Sequence, residues 1–568
     1  MKKLLSVFLA ILLVLPCFSL TSFAWGDSGM FEKDGIVYID YFGDDTVYVA
    51  GYDPLNFDEE NLEITIPETV KKGLRKTYTV TGLDVDAFVE APFTKITLPA
   101  TINYIGDYAF YATADLTEVV IPAECEFEYF GTDVFVGSVA EEKLFGGTDT
   151  AIIGKNVLFG YMGNEKDYVI GENIDFIANN CFMSSGIESI TFNKNIEEIP
   201  YACFANCRNL RSVTIPDTID TIWDMAFKDC ANLAKVDLGK GVDYIGLQAF
   251  SNTAIETIHL NKDVWNVSGA FADCKSLDSI TVDKNNDSFY ADENALYKTW
   301  HYELEDFDGS EFVDEGKAIE FYFPSKVNKV VNIPDDVTAI NDYAFYYCDN
   351  LEQVNAPAVD SVGAKAFSGT DIRAFKADEC VYFGESSFRN CKNLEEINLE
   401  DAYYIATAAF ENCTSLKNVK LSSDIGVIDG AAFANTGIEE IEIYGYDLWL
   451  GEAVLKNCKN LRKVTLGDGI YWVSMDTFLG CEKLETVYLS KTIKVIEENA
   501  FNECEKVKFE VIKNTKAHRE LKKLGYNFEV VGSLTFMEEV TNFFEMMSDW
   551  FYELLFGWID DLITDMVI

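Results

Sequence analysis

Histidine and basic side chains are scarce in this chain of 568 residues. It has only three histidines, and 45 Lys and Arg stand against 95 Asp and Glu, which gives a formal net charge of −50 at pH 7. Because contacts with phosphate groups require a basic surface, this charge excludes nucleic acid as an expected ligand and disfavours anionic membrane surfaces. The sequence also lacks a CxxC pair and a glycine-rich phosphate loop, so it offers no common zinc or nucleotide motif.

Long apolar runs are missing except at the start of the chain. Lys2 and Lys3 precede an apolar run from Leu4 to Leu15, and Ser22-Phe23-Ala24 supplies a small-x-small cleavage site. This order of a charged region, an apolar region and a cleavage site is typical of a secretory signal peptide. We therefore predict a signal peptide over 1–24, a secreted or extracellular location with possible attachment to the cell surface, and no transmembrane span after cleavage.

A short motif, small-Phe-x-x-Cys, recurs along most of the chain at intervals of 21 to 25 residues, and we call its Phe the marker. The marker residue of each copy falls at Phe88, Phe110, Phe135, Phe182, Phe204, Phe227, Phe250, Phe271, Phe345, Phe367, Phe388, Phe410, Phe433, Leu455, Phe478 and Phe501. Each copy also carries a Leu-x-x-Ile-x-Leu stretch that reads as a short β-strand with one buried face. One unit cannot bury that face alone, so stacked copies must form a parallel ladder with a continuous core. Leucine-rich repeats are about 20 to 29 residues long, and the spacing of the motif lies in that range.

The repeated motif resembles one branch of that class, the BspA-like leucine-rich repeats of bacterial surface proteins. Ile102-x-x-Ile105-Gly106-x-x-Ala109-Phe110 carries the pattern, and Phe250-Ser-Asn-Thr253 carries its shortened form, in which Thr replaces Cys. The resemblance implies an α/β solenoid: a right-handed leucine-rich repeat coil with 22–23-residue repeats, built mostly from short parallel β-strands with turns or short helices. It is specific for the fold and weak for the function, because such solenoids serve many ligands.

The resemblance and the local patterns together predict the domain organisation. We expect an N-terminal β cap over 25–80, a solenoid over 81–512 with an acidic hairpin insertion at about 285–324, and a C-terminal cap over 513–532. The insertion contains oxygen-bearing residues at alternate positions from Asp306 onward, but Lys317 stands where a calcium-binding EF-hand loop needs Glu. A solvated acidic hairpin is the favoured interpretation, and calcium binding stays open.

The segment 533–568 differs from the repeats and predicts an acidic amphipathic helix. Its apolar face includes Phe543, Phe544, Trp550, Phe551 and Trp558, spaced as one side of a helix. Such a face needs a partner, and these five residues are our candidate docking helix. It can fold back onto its own solenoid, or attach to another protein, another copy or the cell envelope.

Nine cysteines occupy one repeat position, three residues after the marker, where Thr or Ser stands in other copies. A position that accepts Cys, Thr or Ser selects a small side chain that packs inward. Neighbouring strands would place these side chains parallel and about 4.8 Å apart, and a disulfide would require them to reorient. We predict free, buried thiols, although an exported protein could also use disulfides.

Aromatic residues recur six positions before the marker, next to a buried Ile or Val, and should face solvent. The candidate ligand-binding strip consists of Tyr382, Tyr403, Tyr404, Trp449, Tyr471 and Trp472. Exposed aromatic rows are used to bind proteins or sugars. The alternative is that the rings only stack on one another and stabilise the second face of the coil.

We find no residues for catalysis in this pattern. The histidines, His259, His301 and His518, would lie far apart in a solenoid, so a Ser-His-Asp or Cys-His site is hard to build. We expect no enzyme activity, no cofactor and no metal site. Some relatives in the BspA-like family are adhesins, and the resemblance therefore implies a binding or adhesion module for extracellular proteins or cell-surface ligands, possibly host matrix. The alternatives are a structural component of the envelope or of an extracellular assembly, docked or self-associated through 533–568, and, more weakly, a carbohydrate-binding accessory protein.

Overall fold

The computed structural model describes residues 29–54, 62–73, 76–144, 148–305, 311–541 and 547, with backbone alone for 142, 301–305 and 311–315. Two compact units divide the chain, Met1–Val242 and Asp243–Ile568. In both units most repeats contribute two short strands, and like strands of successive repeats pair in parallel. We call the ladder of Leu-x-x-Ile strands the first ladder, and the ladder of strands that precede the marker the second ladder. The predicted leucine-rich solenoid is confirmed.

Short strands make up most of the first unit, because a repeat of this length leaves room for only two to four residues per strand. They are β1 Phe31–Lys33, β2 Ile36–Ile39, β3 Thr46–Tyr52, β4 Glu63–Thr65, β5 Thr69–Lys72, β6 Lys76–Leu83, β7 Lys95–Thr97, β8 Tyr104–Ile105, β9 Glu118–Val120, β10 Tyr129–Phe130, β11 Thr150–Ile153, β12 Val157–Tyr161, β13 Asp167–Val169, β14 Phe176–Ile177, β15 Ser189–Thr191, β16 Glu198–Ile199, β17 Ser212–Thr214, β18 Thr221–Ile222 and β19 Lys235–Asp237. One short helix, α1, spans Ala140–Lys143.

The first unit begins with antiparallel strands. Strands β1, β2 and β3 pair antiparallel, and β5 pairs antiparallel with β6. Parallel pairing starts where β3 meets β6 and continues from β6 to β8 and from β8 to β10. The antiparallel strands occupy the open edge of the parallel sheet, which would otherwise present unpaired backbone groups.

The second unit has the same two-ladder construction. Its strands are β20 Tyr244–Ile245, β21 Thr257–Leu260, β22 Ser279–Val282, β23 Phe289–Ala291, β24 Ala295–Glu305, β25 Glu311–Tyr322, β26 Val330–Asn332, β27 Ala339–Ile340, β28 Gln353–Asn355, β29 Ser361–Val362, β30 Ala374–Lys376, β31 Tyr382–Phe383, β32 Glu396–Ile397, β33 Tyr404–Ile405, β34 Val427–Ile428, β35 Glu440–Ile443, β36 Trp449–Leu450, β37 Lys463–Leu466, β38 Trp472–Val473, β39 Thr486–Leu489, β40 Val495–Ile496, β41 Lys508–Lys513 and β42 Phe528–Ser533. A 3₁₀ turn covers Pro324–Lys326, and helix α2 spans Lys516–Leu524.

A long antiparallel hairpin interrupts the period of the second unit. Strands β24 and β25 pair antiparallel, and β25 then pairs in parallel with β27 of the next repeat. The hairpin therefore enters the second ladder as one of its members. Phe321 contacts the marker Phe271, while Tyr322 stacks on the marker Phe345 at a ring-centroid distance of 4.8 Å. These two rings maintain the column of aromatic side chains where the marker itself is absent.

The marker residues form the core of each unit. Phe367, Phe388 and Phe410 are fully buried and stack with ring-centroid distances of 5.0 and 5.5 Å. Around the markers from Phe88 to Phe478 the chain turns sharply through two residues in the left-handed region. One stands two positions before the marker and the other two positions after it. Ala431 and Asn435, which flank Phe433, have φ of 56° and 58°. Asn, Asp and Gly tolerate this conformation best, which explains why they recur after the marker.

The cysteines are free and buried, as predicted, throughout the part of the chain that the structure describes. Most of the cysteines that stand three residues after a marker donate a thiol hydrogen bond to the carbonyl oxygen of the marker in the preceding repeat, for example from Cys391 to Phe367 and from Cys413 to Phe388, at 3.0 and 3.1 Å. Where Thr stands at this position, its hydroxyl donates instead to the marker of its own repeat, as Thr253 does to Phe250 at 2.8 Å. The position therefore selects a small, buried hydrogen-bond donor.

Candidate functional site

The aromatic strip predicted from the sequence lies in the second unit, along the second ladder. Register pairs connect Tyr382 to Tyr404, Tyr404 to Val427 and Val427 to Trp449, while Trp472 pairs with Val495. The residue that follows in each of these strands, such as Phe383 or Leu450, is buried. Since side chains alternate across a strand, the strip faces away from the core.

Exposure differs along the strip. Trp449 and Trp472 are 64% and 51% exposed, and Tyr382, Tyr403 and Tyr471 are also exposed, whereas Tyr404 is half-buried. Tyr404 loses its exposure because its ring stacks on that of Tyr382, with centroids 5.3 Å apart and an angle of 22° between the planes. Trp449 is the most exposed residue of the strip, followed by Tyr403 and Trp472.

Neighbouring repeats hold several of these side chains in place. The Nε1 of Trp472 donates to Glu497 Oε1 at 3.0 Å, and the ammonium of Lys494 lies 5.5 Å from the ring centre of Tyr471. The ring of Tyr403 lies over Gly426, where an added Cβ would come within 2.7 Å of the ring. Partial burial raises the pKa of Tyr382, and the neighbouring Tyr404 and Asp342 raise it further. These contacts restrict the side chains before any ligand arrives.

Two residues at the same repeat offset were missed in the sequence. Trp265 and Tyr129 also stand six positions before a marker, Phe271 and Phe135 respectively. Trp265 is 52% exposed and packs against Tyr244 in the second unit. In the first unit Tyr129 stacks on Tyr104 with a centroid distance of 4.9 Å. The offset alone would have identified both of them.

The first unit carries an aromatic row of its own. Tyr104 stacks on Tyr48 at 4.9 Å, and Tyr48 contacts both Tyr41 and Phe42. The Tyr41 hydroxyl donates to Asp84 Oδ2 at 2.6 Å. Tyr41 and Phe42 meet Tyr48 edge-on and remain exposed at the end of this row.

The candidate docking helix cannot be compared in the same way, because Phe543, Phe544, Trp550, Phe551 and Trp558 lie outside the described residues. So do the signal peptide at 1–24 and the acidic tip 306–310 of the insertion. The start of the tail is described. Residues 536–541 are helical, and Thr535 and Glu538 hydrogen-bond reciprocally to each other's backbone amide groups at 2.8 and 3.4 Å. This arrangement is a capping box, which fixes the beginning of a helix.

The tail is tied to the repeats at this cap. Lys491 Nζ and Glu538 Oε1 form an ion pair at 2.6 Å. Hydrogen bonds from Lys491 and Thr535 lower the pKa of Glu538 to about 2. Phe536 and Met537 are strongly exposed beside this contact. The first apolar residues of the tail helix are therefore exposed to solvent in the described part of the chain.

The described histidines are separate from one another. His259 lies on β21, where its Nδ1 contacts Thr281 Oγ1 at 2.9 Å. His518 accepts a hydrogen bond from the backbone of Asn514 at 3.2 Å and packs edge-on against Phe528. Partial burial lowers the pKa of His518. Within the described residues, no three His, Cys, Asp or Glu side chains are grouped so that they could hold a metal ion.

The family model "BspA type Leucine rich repeat region (6 copies)" matches this chain over residues 81–211, 197–307, 317–439 and 399–508. The chain belongs to the BspA-type leucine-rich repeat family. Its membership agrees with the two-ladder fold and with the buried marker column. The family indicates a binding module of the bacterial cell surface, of a fold that is typically not catalytic.

Solved structures similar to this BspA-type chain include bacterial leucine-rich proteins. The pneumococcal vaccine antigen PcpA is 17% identical over 89% of this chain and 98% of its own, with a TM-score of 0.36. A leucine rich cell surface protein from Faecalibacterium prausnitzii is 20% identical over 88% and 98%, with a TM-score of 0.31. A leucine-rich repeat protein from Eubacterium ventriosum is 20% identical over 62% and 88%, with a TM-score of 0.40. No curated protein matches the chain.

Proposed function

We propose that this BspA-type protein is an exported, non-catalytic adhesion module that binds extracellular proteins or cell-surface ligands through the aromatic strip. The observation that carries the proposal is the exposure of Trp449 and Trp472 in neighbouring repeats of one ladder. Exposed tryptophans cost solvation free energy in the free protein and are frequent hot spots of protein interfaces. The contacts of Trp472 and Tyr471 with the next repeat reduce the conformational entropy lost on binding.

Charge supports a protein partner with a basic surface. The net charge of −50 attracts such a partner over a distance and repels acidic ones. A signal peptide over 1–24 would deliver the module to the exterior, where this family works. The described helices include none long and apolar enough to cross a membrane.

A second candidate function is a structural role in the envelope, with docking through 533–568. The capping box of Thr535 and the ion pair between Glu538 and Lys491 favour it, because they fix the start of the tail against the repeats. The exposed Phe536 and Met537 would then belong to the docking face. A carbohydrate platform is less favoured, since Tyr382 and Tyr404 each lose one ring face to their mutual stacking.

The adhesion proposal is tested with the double variant Trp449→Ala/Trp472→Ala. The probes are immobilised fibronectin, collagen and laminin, with a glycan panel for comparison. Losing one interface tryptophan costs about 2 kcal/mol or more, so we expect at least a roughly 30-fold loss of affinity. Trp223→Ala is the matched control, because Trp223 is an exposed tryptophan outside the strip. An unchanged affinity in the double variant, with unfolding also unchanged, would contradict the proposal.

The two candidate functions are separated by cell fractionation. We would compare the full chain with a variant that ends at Gly532. If only the full chain stays with the cells, 533–568 is the anchor and the structural role gains support. If both are released and still bind the same matrix protein, the chain acts as a secreted adhesion module.

A further inference from the structure

In the second ladder, small side chains replace aromatic ones next to the stacked pair Tyr382 and Tyr404. Its register runs from Ala318 to Ala339, from Ala339 to Ser361 and from Ser361 to Tyr382. Aromatic side chains thus give way to small ones within a single repeat. A cavity of about 280 Å³ lies at this step. Its lining includes Ser268, Asn341, Asp342, Ser361, Gly363 and Tyr382, and we call it the Tyr382 cleft.

One face of the Tyr382 ring is open to the cleft. Tyr404 covers the opposite face by stacking. On the open side the register neighbour is Ser361, whose side chain is too short to cover a ring. The stack consists of these two rings, because the next register neighbour of Tyr404 is Val427. The end of the stack therefore offers a ring face that a flat ligand group can cover.

The polar groups around this face are mostly hydrogen-bond acceptors. Asp342 uses Oδ1 to accept from the backbone amide of Ala364 at 2.6 Å, and a carboxylate has further acceptor capacity. Asn341 donates its Nδ2 to Glu320 Oε2 at 2.6 Å, so its amide oxygen is the group left for a ligand. The hydroxyls of Ser268 and Ser361 can also accept. A ligand rich in donors fits this set best.

A buried carboxylate reinforces the negative charge behind the cleft. Glu320 is only 2% exposed, and its Oε1 has no hydrogen-bond partner within the described residues. Two cations oppose this charge: Lys365, which donates its Nζ to the Tyr343 hydroxyl at 3.0 Å and acts on Asp342, and Lys298, which acts on Glu320. Glu385 adds a further negative charge near Asp342. The cleft therefore combines an open aromatic face with acceptors and excess negative charge.

We propose that the Tyr382 cleft binds the guanidinium group of an arginine side chain supplied by a protein partner. The planar guanidinium stacks on the open face of Tyr382 and donates hydrogen bonds to Asp342 and Asn341. Arginine matches this site because it carries five donors, no acceptor and a permanent positive charge, and it stacks on aromatic rings. The inference deepens the proposed adhesion function and rests on it for the class of partner.

The test uses three dye-labelled peptides that differ in one residue of a Gly-Ser sequence: arginine, lysine or citrulline. Citrulline has nearly the shape of arginine but no charge. Binding to the full chain is measured by thermophoresis in 150 mM salt, which screens exposed charges. We expect the arginine peptide to bind best and the citrulline peptide roughly tenfold more weakly, since charge-assisted hydrogen bonds are the stronger ones.

Two variants place the binding in the cleft. Ser361→Tyr continues the aromatic stack and fills the cleft without changing the charge, and Asp342→Asn removes the charge with little change in shape. We expect each variant to bind the arginine peptide with roughly tenfold lower affinity than the wild type. Asp424→Asn, which removes an exposed acid elsewhere in the same unit, should have no effect. Thermal unfolding of each variant shows whether the fold is kept.

Several results would overturn the inference. Equal affinity of the arginine and citrulline peptides, or of the arginine and lysine peptides, would exclude recognition of a planar cation. Unchanged binding in both Ser361→Tyr and Asp342→Asn would place the peptide elsewhere. A glycan that binds the wild type and is lost in Ser361→Tyr, without any preference for arginine, would identify a sugar site instead.

Failure here is distinguishable from failure of the proposed function. If matrix proteins bind and Trp449→Ala/Trp472→Ala abolishes that binding while Ser361→Tyr does not, adhesion stands and the cleft inference falls. If no matrix protein binds but the preference for the arginine peptide persists, adhesion to matrix proteins is rejected. The cleft is then supported as a site for an arginine of another protein.

Discussion

The thiol of Cys458 donates a hydrogen bond to the carbonyl oxygen of Phe433 at a distance of 3.2 Å. Phe433 is the marker of the preceding repeat, so the bond joins two successive turns of the solenoid. The same carbonyl also accepts from the hydroxyl of Thr436 at 2.9 Å. A buried carbonyl without a donor is costly. The repeated cysteines therefore serve as small donors in the core, and disulfide formation would remove this donor.

We expect the thiols to resist modification in the folded protein. Burial raises the pKa of Cys458 to about 11 and that of Cys391 to about 12, and the thiolate is the reactive form. At pH 8 an aromatic disulfide reagent should therefore react slowly with the native chain and fully with the denatured chain. Mass spectrometry of the denatured chain provides the control. Fast reaction in the native state, or a mass deficit from disulfides, would contradict this prediction.

The marker column should be sensitive to truncation. Phe388 is fully buried between Phe367 and Phe410, and Phe388→Ala should lower the free energy of unfolding by about 3 to 5 kcal/mol. Phe388→Leu should cost less, about 1 kcal/mol, because Leu455 occupies the same position in another repeat. Urea unfolding followed by circular dichroism measures both. Equal losses in the two variants would show that ring stacking, and not volume, dominates.

The left-handed turn after the marker should discriminate between residue types. Asn435 has φ of 58°, and Gly369 and Gly480 stand at the same position with φ of 76°. We expect Asn435→Gly to change the free energy of unfolding little. Asn435→Val should lower it by about 1 to 3 kcal/mol, because a β-branched residue is strained there. Comparable stability of the two variants in thermal unfolding would argue against a left-handed conformation at this position.

Glu320 should make stability depend on pH. Burial raises its pKa above the ordinary value of 4.5, although the hydrogen bond from Asn341 and the charge of Lys298 oppose this shift. The folded state then holds the proton more tightly than the unfolded state, so stability falls as pH rises from 4.5 through the folded pKa. Glu320→Gln should remove this loss and be more stable than the wild type at pH 7.

Below pH 4.5 the advantage of Glu320→Gln should disappear, because the wild-type carboxyl is then protonated in both states. Glu442→Gln, which neutralises an exposed acid on β35, is the control and should show no such pH-dependent difference. Denaturant titrations between pH 4 and pH 8 measure the effect. A constant difference between Glu320→Gln and wild type across that range would refute the assignment of the titration to Glu320.

Much of the candidate site could be predicted from the repeat register. The offset of six residues before the marker identified Tyr382, Tyr404, Trp449 and Trp472, because equivalent positions of successive repeats must pair in the ladder. The same offset contains Trp265 and Tyr129, which only a complete alignment of the repeats would have revealed. Exposure was harder to predict, since Tyr404 is half-buried and stacks on a ring in the neighbouring repeat.

The Tyr382 cleft could not be predicted in this way. Ser268 and Asp342 both line it, yet the hairpin of β24 and β25 separates them in the chain. Both residues stand three positions before a marker, Phe271 and Phe345, but the hairpin makes the interval between these two markers different from a whole number of 22–23-residue repeats. The cleft also requires a small residue, Ser361, beside the aromatic Tyr382. A single small residue in the sequence does not indicate a cleft unless the strand register, and so its neighbour, is known.

By itself the sequence determined the repeat, the buried marker column and the free thiols, because a short unit copied many times allows its apolar positions only one common interior. The tertiary structure alone decided which rings cover each other, where the aromatic row ends and which distant side chains meet in the cleft. These features depend on how an irregular hairpin is inserted among regular turns. Local hydrophobic patterning does not encode that packing, since it results from contacts between residues far apart in the chain.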